Sequence, residues 1–109
     1  MESTANKDQQ SLTLAAGVAG SLTFDTTGSK QLTLVIENTG ASNAIGTTVV
    51  AKSPDGTIFG TDTALGTAIG SIAASGSVLV ELTDVAFQKL KLTFTSASGS
   101  TVRVTLRGT

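Results

Sequence analysis

The sequence predicts an all-β fold: a single antiparallel β-sandwich, immunoglobulin-like or jelly-roll, of about 7 to 9 short strands. Three observations predict it. From Ser11 onward apolar residues recur at every second position in short blocks, the period of a strand with one buried face. Gly, Ser, Asn and Asp separate the blocks, as tight turns require. A length of 109 residues suits one domain built on one core.

Residues 1–10 (MESTANKDQQ) carry no apolar period and read as a flexible polar arm, which leaves residues 11–109 as the sandwich domain. Leu12 and Leu14 open the strand series, and Leu22 and Phe24 follow across Ala19-Gly20. Leu32, Leu34 and Ile36 then form the inner face of a strand over about residues 31–37. Val35 on its other face implies partial cover there too. Asn38 to Asn43 is a loop by composition, and Thr47 to Lys52 is the next strand, with Val49 and Val50 on opposite faces.

Ser53-Pro54-Asp55-Gly56 is the clearest turn, because proline at its second position fixes a φ that suits type I geometry. A short strand holding Ile58 and Phe59 is expected after it. Residues 60–76 are rich in Gly, Ala and Thr, and Leu65, Ile69 and Ile72 are too sparse to define a strand, so a long, partly strand-like connection is expected. No segment of helical period competes. The last three strands carry the firmest alternation: Val78, Val80 and Leu82; Leu90, Leu92 and Phe94; Val102, Val104 and Leu106. Pairing apolar with apolar across the last loop sets Phe94 opposite Val104 and Leu92 opposite Leu106 in a final hairpin.

Leu, Ile, Val and Phe supply about a quarter of the chain, enough for folding. With four Phe and neither Trp nor Tyr the core is thin, and association with further copies as a homo-oligomer is expected. Charged residues are only 14% of the chain, and seven basic residues are balanced by eight acidic ones. Such a surface lacks the clustered cations that nucleic acid requires, but it is cheap to desolvate against protein. No Cys is present, so disulfides are excluded. No signal-like or membrane-length apolar run occurs, so no membrane partner is expected, and the chain should be made in the cytoplasm and leave it by assembly or lysis.

Histidine and cysteine are both absent, which removes the usual general base, the thiol nucleophiles and most transition-metal ligands. The carboxylates Asp25, Glu37, Asp55, Asp62, Glu81 and Asp84 remain, and they read as solvated loop and face residues rather than an acid pair. Asp55, Asp62 and Asp84 lie in turn-like positions without calcium-loop spacing. The glycines punctuate strands and do not form a phosphate loop. No enzyme activity, cofactor or metal is predicted.

Four of the seven basic residues, Lys89, Lys91, Arg103 and Arg107, fall on the outward face of the predicted final hairpin, with Lys91 opposite Arg107. Like charges in direct pairing are mildly destabilising, so they either guard an outer strand or await an acidic partner surface. With Asn6, Lys7, Asp8, Gln9 and Gln10 of the arm, they are the candidate protein contacts.

The stretch LTLVIENTG, residues 32–40, followed by Thr47-Thr48-Val49-Val50, resembles the strand-and-turn signature of bacterial immunoglobulin-like adhesion repeats. The Val78 to Leu82 strand and the segment KLKLTFTSASGSTVRVTLRG, residues 89–108, are similar to small β-sandwich virion proteins of tailed phages, capsid decoration (cement) proteins among them. The second resemblance implies a non-enzymatic structural protein on the outer capsid surface of a bacteriophage virion. Its implied partner is the major capsid protein, its favoured assembly a trimer, and its polar arm orders on binding. A phage tail or head-to-tail component, and an extracellular immunoglobulin-like adhesion module, are the alternatives.

Overall fold

The computed structural model describes residues 7–109 as two four-stranded antiparallel sheets packed face to face. In the first sheet β1 (Lys7–Leu14), β8 (Ser100–Gly108), β3 (Leu32–Asn38) and β6 (Ser77–Leu82) lie side by side in that order. The second has the order β2 (Gly20–Asp25), β7 (Lys89–Thr95), β4 (Thr47–Ser53) and β5 (Gly60–Thr61). Every step along the chain changes sheet except β4 to β5. That order is the jelly-roll. An immunoglobulin-like sandwich keeps its first two strands in one sheet, so of the two strand orders the sequence leaves open the chain takes the jelly-roll.

The inner faces are the ones the alternation predicts. Leu32, Leu34 and Ile36 from β3 and Val102, Val104 and Leu106 from β8 meet Leu22, Phe24, Leu90, Leu92 and Phe94 of the second sheet, all buried. Val50 and Thr48 settle the face of β4 that the sequence leaves open, and Val49 points outward. Among the described residues no buried side-chain polar atom lacks a hydrogen-bond partner.

The predicted final hairpin is corrected. β7 pairs with β2 and β4, and β8 pairs with β1 and β3, so Phe94 lies opposite Gly20 and Thr48 while Val104 lies opposite Gln10 and Ile36. Lys91 therefore faces Thr23 and Ala51 instead of Arg107. Two strands with the same period bury the same side chains whether they lie side by side or across the core, so alternation alone could not separate the two arrangements. The connecting loop is tied to other loops at that end of the sandwich: Ser96 Oγ donates to Ala44 O at 2.6 Å, and Asn43 Nδ2 donates to Gly99 O at 2.8 Å.

Residues 60–76 contain a helix, α1 (Thr63–Ile69), where a strand-like connection was expected. Seven residues are too few for a helix to hold itself in water. Asp62 caps it by accepting the Leu65 N–H at 3.0 Å, and Ile69 anchors it in the core, with Ile72 buried just beyond. α1 covers the edge of β4 that β5 is too short to reach, since β5 pairs only with Ala51 and Lys52. The strand expected at Ile58 and Phe59 is absent; β5 begins at Gly60, and Ile58 is 72% exposed.

The chain before Ser11 is also reassigned in part. Lys7 to Gln10 belong to β1 and pair with Thr105 to Arg107 and Val104 of β8, whereas Met1 to Asn6 lie outside the described residues. No apolar period marks this half of β1 because it runs along the rim of the sandwich. Gln10, on the inward side, donates from Nε2 to Asp8 Oδ2 at 2.8 Å and to the β2 carbonyl of Thr23 at 2.9 Å.

Candidate interaction surfaces

On the outer face of the first sheet, strand pairing places side chains in rows. Lys7, Arg107, Thr33 and Glu81 form one row; Gln9, Thr105, Val35 and Leu79 the next; Ser11, Arg103, Glu37 and Ser77 the third. In the third row Arg103 donates twice to Glu37, from Nε at 3.1 Å and Nη2 at 3.0 Å. The guanidinium holds the Glu37 carboxyl below its ordinary value. In the middle row Gln9 Nε2 donates to Thr105 Oγ1 at 2.9 Å, while Leu79 at the open edge is 62% exposed beside half-buried Val35.

The first row is unbalanced. Lys7 and Arg107 stand directly opposite each other, an arrangement of like charges that is mildly destabilising. Glu81, two strands from Arg107, is exposed, and no ion pair among the described residues involves any of these three.

Lys89 and Lys91 lie on the other sheet, so the four basic residues expected on one face are divided between opposite sides of the sandwich. Lys89 stands opposite Asp25, and Lys91 Nζ sits 4.6 Å from the centroid of the Phe59 ring, a cation–π contact. Of the four, Arg103 has a carboxylate partner, Lys91 an aromatic one and Lys89 a nearby acid, and Arg107 faces only Lys7 and Thr33. Among the arm residues, Lys7, Asp8, Gln9 and Gln10 form part of the β1 edge, and Asn6 lies outside the described residues.

Three further carboxylates act as local acceptors. Asp55 accepts the Ile58 and Thr57 N–H groups, both at 2.9 Å, and the Ser53 hydroxyl at 3.0 Å, which hold it below its ordinary pKa. Asp62 is held down by Lys52, 2.7 Å away, and by the Leu65 N–H it caps. The Thr27 N–H does the same for Asp25. Among the described residues no three His, Cys, Asp or Glu side chains gather as a metal site would require. An open groove of about 540 Å³ runs between α1 and β4, lined by Thr47, Val49, Thr63, Gly66 and Thr67, with the engaged Asp62 on its wall.

Two features were hidden in the sequence to different degrees. The pairing of Glu37 with Arg103 depends on β3 lying beside β8, which no local pattern shows. Composition places Asn38 in a loop, yet it continues the inward series Leu32, Leu34, Ile36, and it is buried at the end of β3.

No family model matches this sequence, and no curated protein matches it. Solved structures do share its fold. A mitogen derived from Yersinia pseudotuberculosis aligns over 97% of this chain and 88% of its own, with 12% identity and a TM-score of 0.59. A chain in the atomic structure of Sulfolobus Turreted Icosahedral Virus aligns over 95% of this chain and 28% of its own, with 18% identity and a TM-score of 0.54. A putative α-L-fucosidase from Bacteroides ovatus aligns over 94% of this chain and 17% of its own, with 11% identity and a TM-score of 0.58. At these identities the likeness is one of fold.

Proposed function

We propose that the protein is a non-enzymatic structural component of a virus particle, a decoration (cement) protein that binds the outer surface of a tailed-phage capsid and stabilises the shell. The observation that carries this reading is the distribution of polar groups. Four carboxylates, Asp25, Glu37, Asp55 and Asp62, are engaged in holding turns, a helix cap and a cross-strand pair, while the unanswered charges Lys7, Arg107 and Glu81 lie on the outer face of the first sheet. Polar and charged groups left unpaired on a sheet face are free to meet complementary groups on another protein surface. The fold supports the reading at that level alone, since part of a virus chain aligns with it. Among the described residues no helix is long and apolar enough to cross a membrane.

The proposed partner is the major capsid protein, met by the first sheet's outer face and by the segment that begins β1. Mass spectrometry of purified virions from the producing host tests the placement, together with co-sedimentation of the purified protein with undecorated capsids. Peptides at capsid-scale abundance and saturable binding are expected. Absence from particles, with no binding to capsids, overturns it.

A further inference from the structure

The two sheets treat their edges differently. In the second, α1 screens the part of β4 that two-residue β5 leaves bare, and Gln10 satisfies the Thr23 carbonyl on β2. The first sheet ends on β1 and β6. β6 runs six residues, Ser77–Leu82, without Lys, Arg or Pro, and its Leu79 is 62% exposed while Val78 and Leu82 are half-buried. Edges kept from pairing carry such charges, prolines or bulges, or are very short.

We infer that β6 of one copy pairs antiparallel with β1 of a second copy, joining their first sheets into one. The occupant follows from charge. The row Lys7, Arg107, Thr33, Glu81 has its uncompensated positive charge at the β1 side and its negative charge at the β6 side. Continuing that row straight into the next copy sets Glu81 opposite the second copy's Lys7, Leu79 opposite Gln9 and Ser77 opposite Ser11. Each junction then supplies the carboxylate that Lys7 and Arg107 lack, and Leu79 is covered. The pleat agrees as well. Hydrogen-bonded and non-bonded pairs alternate along a row, so across four strands the residues with free backbone groups on β6 face those with free groups on β1. Strand direction alternates through the junction too. Pairing β6 with a second β6 would leave Lys7 and Arg107 unanswered.

The contact is head-to-tail, so it closes a ring or extends a fibre according to the rotation at each junction. It draws on the same three charges as the capsid reading, and association of the purified protein without capsids tests it separately.

Cysteine cross-linking tests it on a chain that has none of its own. Directly opposed residues lie within disulfide reach. Leu79→Cys combined with Gln9→Cys in one chain is expected to give a ladder of dimers and larger species under mild oxidation. Mixing the two single variants gives dimers only, and Leu79→Cys alone stays monomeric on a non-reducing gel. Glu81→Lys is expected to weaken association about threefold to tenfold by sedimentation, and Glu81→Lys with Lys7→Glu to recover it. These positions are exposed, and circular dichroism checks each fold. Dimers from Leu79→Cys alone would reassign the contact to β6 with β6. A wild-type chain that stays monomeric to millimolar concentration, or a charge swap that fails to recover association, also overturns the inference.

Discussion

Ser100 Oγ donates to Asn38 Oδ1 at 2.6 Å, joining the start of β8 to the end of β3 where the sandwich closes. Asn38 uses its whole amide: Oδ1 also accepts the Gly40 N–H at 3.0 Å, and Nδ2 donates to Asn43 O at 2.8 Å and Ile72 O at 3.1 Å. One side chain thus connects β3, the loop after it, β8 and the segment following α1.

Asn38→Ala should therefore destabilise strongly. The Ile72 carbonyl keeps the Ile45 N–H, but the half-buried Ser100 hydroxyl and Gly40 N–H lose their acceptor where the buried amide is removed, and unmet buried groups cost about 1–3 kcal/mol each. Ser100→Ala removes one bond and should cost about 1 kcal/mol. Urea titration of the two single variants and the double is the check, and the double should fall short of the sum because the residues share one network.

Gly66 lies in α1, where Gly→Ala ordinarily stabilises a helix by up to about 1 kcal/mol. Here the sign should reverse. A Cβ at this position would stand 3.0 Å from the Thr48 carbonyl oxygen of β4 and 3.7 Å from Val49 Cα, backbone that cannot swing aside. Gly66→Ala is expected to lower the thermal midpoint, while the control Thr67→Ala on the exposed side leaves it within about 0.5 kcal/mol. A stabilised Gly66→Ala variant would show that the helix can move off β4.

Alternation made the core legible. The inner-face Leu, Ile, Val and Phe of β3, β7 and β8 are readable from period 2, because burial on one face is a local property of a strand. Partnership was not readable. The same alternation in β7 and β8 serves a hairpin and a crossover equally, so the basic residues were placed on one face when they lie on two. The helix at Thr63 to Ile69 was missed because its stability lies in Ile69 and in contact with β4, not in propensity. Lys7 to Gln10 lack an apolar signal because this rim strand fills its inward positions with Asp8 and Gln10, which bond each other, rather than with apolar side chains.

Two glycines with nearly the same φ separate conformational strain from crowding. Gly99 has φ +88° and Gly28 φ +87°, a left-handed region that disfavours side chains. A Cβ at Gly28 meets nothing within 4 Å, whereas at Gly99 it would lie 3.0 Å from the Leu14 carbonyl oxygen. Gly28→Ala should cost about 1 kcal/mol and Gly99→Ala clearly more, both read from denaturation midpoints. Equal costs would mean that the loop between β7 and β8 yields.

Stability should be flat across neutral pH and fall only in acid. The chain has neither His nor Cys, so no side chain has an ordinary pKa between about 5 and 8. Asp55, Asp62, Glu37 and Asp25 are all held below their ordinary values, by N–H groups at Asp55 and Asp25, by Lys52 at Asp62 and by Arg103 at Glu37. A folded pKa below the unfolded one adds stability that is complete above the unfolded value and is lost as pH falls through the folded value. The urea midpoint should hold from about pH 8 to 5 and then drop progressively below about pH 4. Asp55→Asn should lower the neutral plateau and reduce the acid drop, because its turn no longer depends on an ionised acceptor. A midpoint that moves between pH 8 and 5, or an acid drop unaltered by Asp55→Asn, would show that other groups control it.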